Sequence, residues 1–360
     1  MDVDHESTSW MEQRPAFTFD CLRQERASLP AEEKCSIARD RFGLNTDITE
    51  DPDFVARKLR EMERALDSID DEKEAYETAL FINPTHVESE SFRLAFLRTD
   101  KFDATAAARR MIRYWQRKVD LFGVEKAFQP SVTILHFRME DYPALVKGAF
   151  RLLPTKDDRG RAIIFHYMAY YGSNATPETM IRLMWYIVHA AIFGDDDDSN
   201  SQDADAAQRN GIVALAGNGR PGYDQLPFSS LNKVKNYFGA ISHDATNVLP
   251  VRMVASHSFP THAWALKFSE HFLYCFAPSL RARFNLHDVS NIQQSLLELS
   301  RCGISPGIVP FELGGNLKVD HIDWLYERLF SDVYLATGLD PGSDEWESIV
   351  PQELRELLSS

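Results

Sequence analysis

Apolar positions recur at helical spacing through the first third of the chain. Beyond residue 160, short β-branched runs alternate with such stretches. Val55, Leu59, Met62, Leu66 and Ile69 form a narrow apolar seam, and Asp53 is placed to cap that helix. Glu88 to Leu97 predicts a second helix and Thr105 to Val119 a third. The third turns Ala108, Met111, Ile112, Trp115 and Val119 inward and carries Arg109, Arg113 and Arg117 as a separate cationic ridge. Arg161 to Tyr171 reads as a strand. Thr176-Pro177-Glu178 then opens a helix running to about Phe193, with Ile181, Met184 and Val188 along one side. Further strands are expected at Gly211–Ala216, Leu249–His257 and Phe284–His287, and further helices at Ser229–Ile241, Ser290–Leu299 and Asp320–Ala336. This order predicts an α/β fold: an N-terminal helical bundle, then a mainly parallel sheet with right-handed crossovers.

The stretch from Leu249 to His287 organises the rest. Pro260 stops the strand, and Trp264, Phe268, Phe272 and Phe276 follow at four-residue steps, which puts the rings on one helix face. Pro278 ends that helix, and Arg281 and Arg283 come next. One reading is a crossover helix whose aromatics fill a core. The other is a movable cover over an apolar cavity, with cations at its hinge to meet an anionic membrane.

Composition narrows the partners. With 360 residues and a net charge of −15, the chain can bury a large core and lacks the basic field of a nonspecific nucleic-acid binder. It contains no apolar run of about 18 residues, and its acidic start has no apolar leader region, so a cytoplasmic protein is expected. Cys21, Cys35, Cys275 and Cys302 lack metal or redox spacing and read as free thiols. Residues 1–50 read as an acidic, mostly disordered tail with a helical fragment from Ala31 to Arg41, 51–125 as the helical bundle, 126–336 as the α/β domain and 337–360 as an acidic tail. Asp195 to Asp198 and the polar residues after them read as a loop.

Several motifs imitate catalytic sites. Gly217-Asn218-Gly219-Arg220-Pro221-Gly222 fits a dinucleotide fingerprint, but Pro221 and Pro227 interrupt the helix it needs. Cys275 and Arg281 have phosphatase spacing, yet no glycine lies between them and Pro278 removes an amide donor. The Asp195–Asp198 run lacks the ligand order of a helix-loop-helix calcium site. Ser256 and His257 are strand neighbours facing opposite ways, so they cannot act as nucleophile and base. No catalytic set and no enzyme activity is expected.

Several elements together resemble the CRAL-TRIO lipid-binding family, particularly its α-tocopherol transfer and cellular retinaldehyde-binding branch. They are Phe96-Leu97-Arg98-Thr99-Asp100-Lys101-Phe102-Asp103, Arg209-Asn210-Gly211-Ile212, Leu249-Pro250-Val251-Arg252, Phe284-Asn285-Leu286-His287, Gln294-Ser295-Leu296-Leu297 and Pro310-Phe311-Glu312-Leu313-Gly314-Gly315. The resemblance spans roughly residues 54–330. It implies a sheet flooring an apolar pocket, closed by a mobile helix bearing Trp264, Phe268 and Phe272. By position, Ile181, Met184 and Val188 would line one wall. Ile164, Ile212, Val251 and Met253 would lie on or near the floor, with Phe228 contributing and His166 or Ser256 orienting the ligand. Arg252, Arg281 and Arg283 stand at or near the positions that hold a phosphoinositide head group. Asp100, Ser279 and Leu215-Ala216-Gly217-Asn218 depart from the branch's pattern.

The expected protein is a non-enzymatic monomer that takes up a tocopherol-, retinoid- or phospholipid-like molecule. It would carry that lipid between membranes through transient contact with anionic surfaces. The alternative is a membrane-tethered regulatory or scaffold module that senses lipid without transferring it.

Overall fold

The computed structural model describes residues 18–44, 48–70, 73–170, 175–194, 201–217, 231–260, 273–339 and 345–359. Its longer helices in that range are α1 (Phe19–Ser28), α2 (Ala31–Phe42), α3 (Pro52–Ser68), α4 (Glu74–Ile82), α5 (Glu90–Thr99), α6 (Ala104–Phe122), α7 (Pro177–Phe193), α8 (Ser201–Asn210), α9 (Leu231–Asn247), α10 (Ile292–Arg301), α11 (His321–Thr337) and α12 (Gln352–Leu358). Five strands, β1 (Phe150–Leu152), β2 (Ala162–Tyr167), β3 (Ile212–Gly217), β4 (Met253–Phe259) and β5 (Phe284–Leu286), form one sheet in chain order. β1 pairs antiparallel with β2, and the other pairs are parallel. The fold is mixed α/β with a mostly parallel sheet.

Local chemistry sets the helix starts. Asp51, rather than Asp53, caps α3 by accepting the Phe54 amide at 2.9 Å, because Pro52 already occupies the first helical position. Thr176 caps α7 through the Thr179 amide at 3.1 Å, again just before a proline. Gly211, at φ +79°, leads into β3, where an added Cβ would lie 2.8 Å from the Arg252 carbonyl and 2.5 Å from Val254. Only glycine fits that approach.

α3, α4 and α5 pack on α6, and α7 lies between α6 and the β1–β2 side of the sheet. One apolar cluster runs from Phe96 and Trp115 in the bundle, through Trp185 of α7, to Ile164 and Ile212 on one sheet face. A second cluster holds Ile163, Phe165, Val213 and Leu215 of the other face against Leu296 and Leu299 of α10. Each large side chain so buried contributes about 1.5–3 kcal/mol.

Three expectations need correction. Residues 19–42 are not a disordered tail: they form α1 and α2, although among their described side chains the buried apolar ones are Leu22 and Ile37. Their docking is polar, and hydropathy is blind to it. Arg26 donates to the Ala282 carbonyl (2.7 Å) and to that of Phe284. At the chain's end, Val350, Leu354 and Leu358 are buried, so α12 packs on the short helix Tyr142–Val146 rather than lying loose. Residues 201–205, expected as the end of the acidic loop, belong to α8, whose Gln208 donates to the Ile192 carbonyl at 2.8 Å and accepts from Arg98 at 2.8 Å. Asp195 to Asp198, the remainder of the fingerprint after Gly217, Phe228, Trp264, Phe268 and Phe272 lie outside the described residues.

Candidate functional site

Parallel register places side chains in rungs across the sheet. On the α7-facing side one rung reads Ile164, Ala214, Ser256, Phe284, and the next reads His166, Ala216, Ser258, Leu286. Small residues therefore occupy the two middle strands, and bulky ones stand on either flank. The result is a trough. Interior strands are ordinarily the most buried part of a parallel sheet. Here Ala214 and Ala216 of central β3, and His166 of β2, stay only half-buried, while Val213 and Leu215 on the opposite face are fully covered.

The polar groups of this face are few and neutral. Loss of water pushes the His166 pKa down to about 3, and its ring stacks on Phe150 with centroids 4.4 Å apart. Ser258 is 1% exposed, and its Oγ has no hydrogen-bond partner. A buried hydroxyl left unpaired costs about 1–3 kcal/mol, so a ligand group that bonds it recovers that cost.

The structure groups most of the residues expected around the ligand. Ile164, Ile181, Met184, Val188 and Ile212 share the large apolar cluster, with Met253 packed against it beside Ile212. Phe276, the described member of the aromatic series, packs between Phe238 (5.8 Å) and Phe284 (4.7 Å) at the β5 flank. Val251, also a member of that cluster, precedes β4 and lines a separate cleft together with Met253.

That cleft has a volume of about 220 Å³. Its walls bring Arg252 and Arg283 together with Lys101 and Arg110, beside the hydroxyl-bearing Thr99, Thr246 and Ser279. Asp40 bridges two of the cations: its Oδ1 accepts from Arg252 at 3.2 Å and its Oδ2 from Arg283 at 2.6 Å. Arg110 is neutralised by Asp100 through bonds of 2.7 and 2.8 Å, and Lys101 donates to Ser36 at 3.0 Å. Burial lowers the Arg252 pKa, with Asp40 opposing the shift and Arg283 adding to it. Arg281 is not a wall of this cleft. It meets Glu25 at 2.6 Å and donates to the carbonyls of Leu273 (3.3 Å) and Phe276 (3.1 Å).

No family model matches the chain, and no curated protein matches it. Among solved structures it is similar to Sfh5, at 10% identity, with 82% of this chain and 85% of that one covered and a TM-score of 0.37. So distant a likeness carries no argument about function, which is read from the residues themselves.

Of the small residues of the trough, sequence reasoning named Ser256 but missed Ala214, Ala216 and Ser258, and it missed Lys101 and Arg110 as cations of the cleft. Lys101 and Phe102 adopt left-handed backbone, at φ 52° and 63°, which non-glycine residues seldom do. Arg117, expected on an open ridge, pairs with the buried Asp244 at 3.1 Å, which also accepts from Trp185 at 2.9 Å. His257 and His287 share a bond of 2.8 Å on the far face of the sheet, away from the trough. Burial drives both of their pKa values down, His287 to about 4. With Arg281 directed at backbone carbonyls and Glu25, the Cys275–Arg281 spacing does not build an open phosphate loop. Among the described residues, no group of three or more His, Cys, Asp or Glu is placed to hold a metal ion, and no helix is long and apolar enough to cross a membrane.

Proposed function

We propose that the protein binds a largely apolar lipid along the trough and carries it between membranes, with no covalent chemistry. The observation that carries this reading is the run of Ala214, Ala216, Ser256 and Ser258 through the middle of the sheet, with both alanines still accessible. A packed core fills such positions with large side chains. Small ones leave room for a guest, and burying that guest recovers about 25 cal/mol per Å² of apolar surface.

His166, held neutral, and the unpaired Ser258 hydroxyl suit a ligand whose polar end is a hydroxyl or carbonyl rather than a carboxylate. Tocopherol- and retinoid-like molecules fall within that class, and a phospholipid-like one meets it only through its ester carbonyls. The reading agrees with the resemblance of residues 54–330 to the CRAL-TRIO family. That resemblance further implies a mobile cover bearing Trp264, Phe268 and Phe272.

Membrane contact is assigned to the cationic cleft. Arg252 and Arg283, joined by Lys101, present positive charge beside apolar Val251, Met253 and Leu280. Each cation near an anionic leaflet is worth about 1 kcal/mol. The carrier is proposed to act as a cytoplasmic monomer that visits anionic or phosphoinositide-bearing membranes.

Native mass spectrometry of the purified protein tests the central claim. A co-purified apolar lipid, lost on Ala216→Phe, is the expected result, and a ligand-free chain with unchanged mass would overturn it. A lipid-sensing module without transfer is the second reading. It is favoured by Glu25 and Asp40, which tie up the arginines in the present state. Liposome-to-liposome transfer separates the two, because a sensor binds vesicles yet moves no lipid.

A further inference from the structure

The arginines assigned to the membrane are already occupied, and by one part of the chain. Asp40 of α2 spans Arg252 (3.2 Å) and Arg283 (2.6 Å), and Glu25 of α1 holds Arg281 (2.6 Å). Lys101 is engaged by Ser36 of the same α2 at 3.0 Å. Asp40 is the one carboxylate among the cleft's described lining residues. Lifting α2 away leaves three cations, Lys101, Arg252 and Arg283, whose carboxylate or hydroxyl partner has gone.

Among the described side chains, little apolar surface keeps these helices in place. α1 buries Leu22 and α2 buries Ile37, whereas Phe42 and Leu44 at the end of α2 are 39% and 54% exposed. The remaining ties are polar. Arg26 reaches the carbonyls of Ala282 and Phe284, and Arg161 donates to the Asp40 carbonyl at 2.7 Å. Arg161 is itself paired with Asp157 at 2.6 Å, so it stays with the sheet when α2 leaves. A contact held by charge can be exchanged for another anion at small net cost.

We propose that α1 and α2 form an internal clamp. Glu25 and Asp40 stand where the head groups of anionic lipids bind, and an anionic membrane displaces them. The clamp rests on the membrane-contact reading above. It keeps the three arginines unavailable in water and frees Arg252 and Arg283 together, because one carboxylate serves both.

Co-sedimentation of the full chain with vesicles of phosphatidylcholine, alone or mixed with phosphatidylserine, tests this. Glu25→Gln with Asp40→Asn is expected to tighten binding to the anionic vesicles about tenfold, from the loss of competing ion pairs. Arg252→Glu with Arg283→Glu is expected to abolish it. Unchanged affinity in the first variant, with loss in the second, removes the clamp and leaves the membrane patch standing. No effect of the arginine reversals removes both.

A second measurement needs no substitution. Cys21 sits half-buried on α1, so its alkylation, followed by peptide mapping of the unaltered chain, is expected to run several-fold faster on anionic vesicles than on neutral ones. Equal rates would overturn the displacement even if a clamp variant failed to fold.

Discussion

Ala214 of β3 lies beside Ser256 of β4 in parallel register, with Ile164 and Phe284 completing the rung. Two small side chains between two large ones make a concave floor, and concavity is what a ligand needs. Replacing Ala214 and Ala216 with Phe should fill it. The expected outcome is loss of bound lipid with a melting temperature within a few degrees of the parent. A tightly packed floor would answer otherwise, since overpacking costs about 1–3 kcal/mol. A large drop in thermal stability, measured by calorimetry, would count against the trough.

Acid should unfold the protein early. His86, His136, His166, His189, His257, His287 and His321 all have pKa values pushed down, chiefly by burial. In the unfolded chain each takes up a proton near pH 6.5, while the folded protein resists until much lower pH. The unfolded state therefore binds more protons below about pH 6.5, and stability falls as pH drops through that value. Each such proton contributes about 1.4 kcal/mol per pH unit. Denaturant midpoints measured between about pH 7 and 5 should show a steep decline, and a flat profile would contradict the burial of these rings.

Lys118 is fully buried in the bundle, bonded to the Gln129 carbonyl at 2.5 Å and lying over Trp115 at 5.0 Å. Burial lowers its pKa to about 7. Its charged form is thus disfavoured in the fold, and stability contributed at this site rises as pH increases from about 7 towards the unfolded value. Lys118→Met keeps the length and drops the charge. It is expected to raise stability at neutral pH by about 1–3 kcal/mol and to flatten the rise above neutrality. Urea denaturation at two pH values checks both.

The pair Arg182–Asp141 anchors α7, the wall of the trough, through bonds of 2.8 and 2.6 Å, and Asp141 is completely buried. Asp141→Ala leaves the buried guanidinium with only the half-exposed Glu140 at 3.9 Å as counter-charge and should cost about 3–5 kcal/mol. Double replacement with Arg182→Met is expected to recover much of that loss. A double-mutant cycle by chemical denaturation reads the coupling directly.

Much of the architecture was legible in the chain. Thr176 and Pro177 announce α7, the apolar runs around Ile212 and Phe284 locate two strands within one residue, and the run around Ile164 finds the start of β2 but overshoots its end at Tyr167. β1, as short as β5, was not read at all. α1 was not either, and α2 only as a helical fragment, since their docking rests on ion pairs linking residues more than 200 positions apart, such as Arg252 with Asp40 and Arg281 with Glu25. At the site, periodicity finds large side chains such as Ile181, Met184 and Val188. The trough is defined by small ones, and only strand register shows that Ala214, Ala216, Ser256 and Ser258 are neighbours.

Arg26 has a further effect. By bonding the carbonyls of Ala282 and Phe284, it blunts the outer margin of β5, the last strand of an open sheet. Uncovered strand margins recruit other chains. Any event that lifts α1 therefore bares a template for self-association, and a molecule that opens in solution, away from lipid, is driven towards aggregation rather than idle waiting.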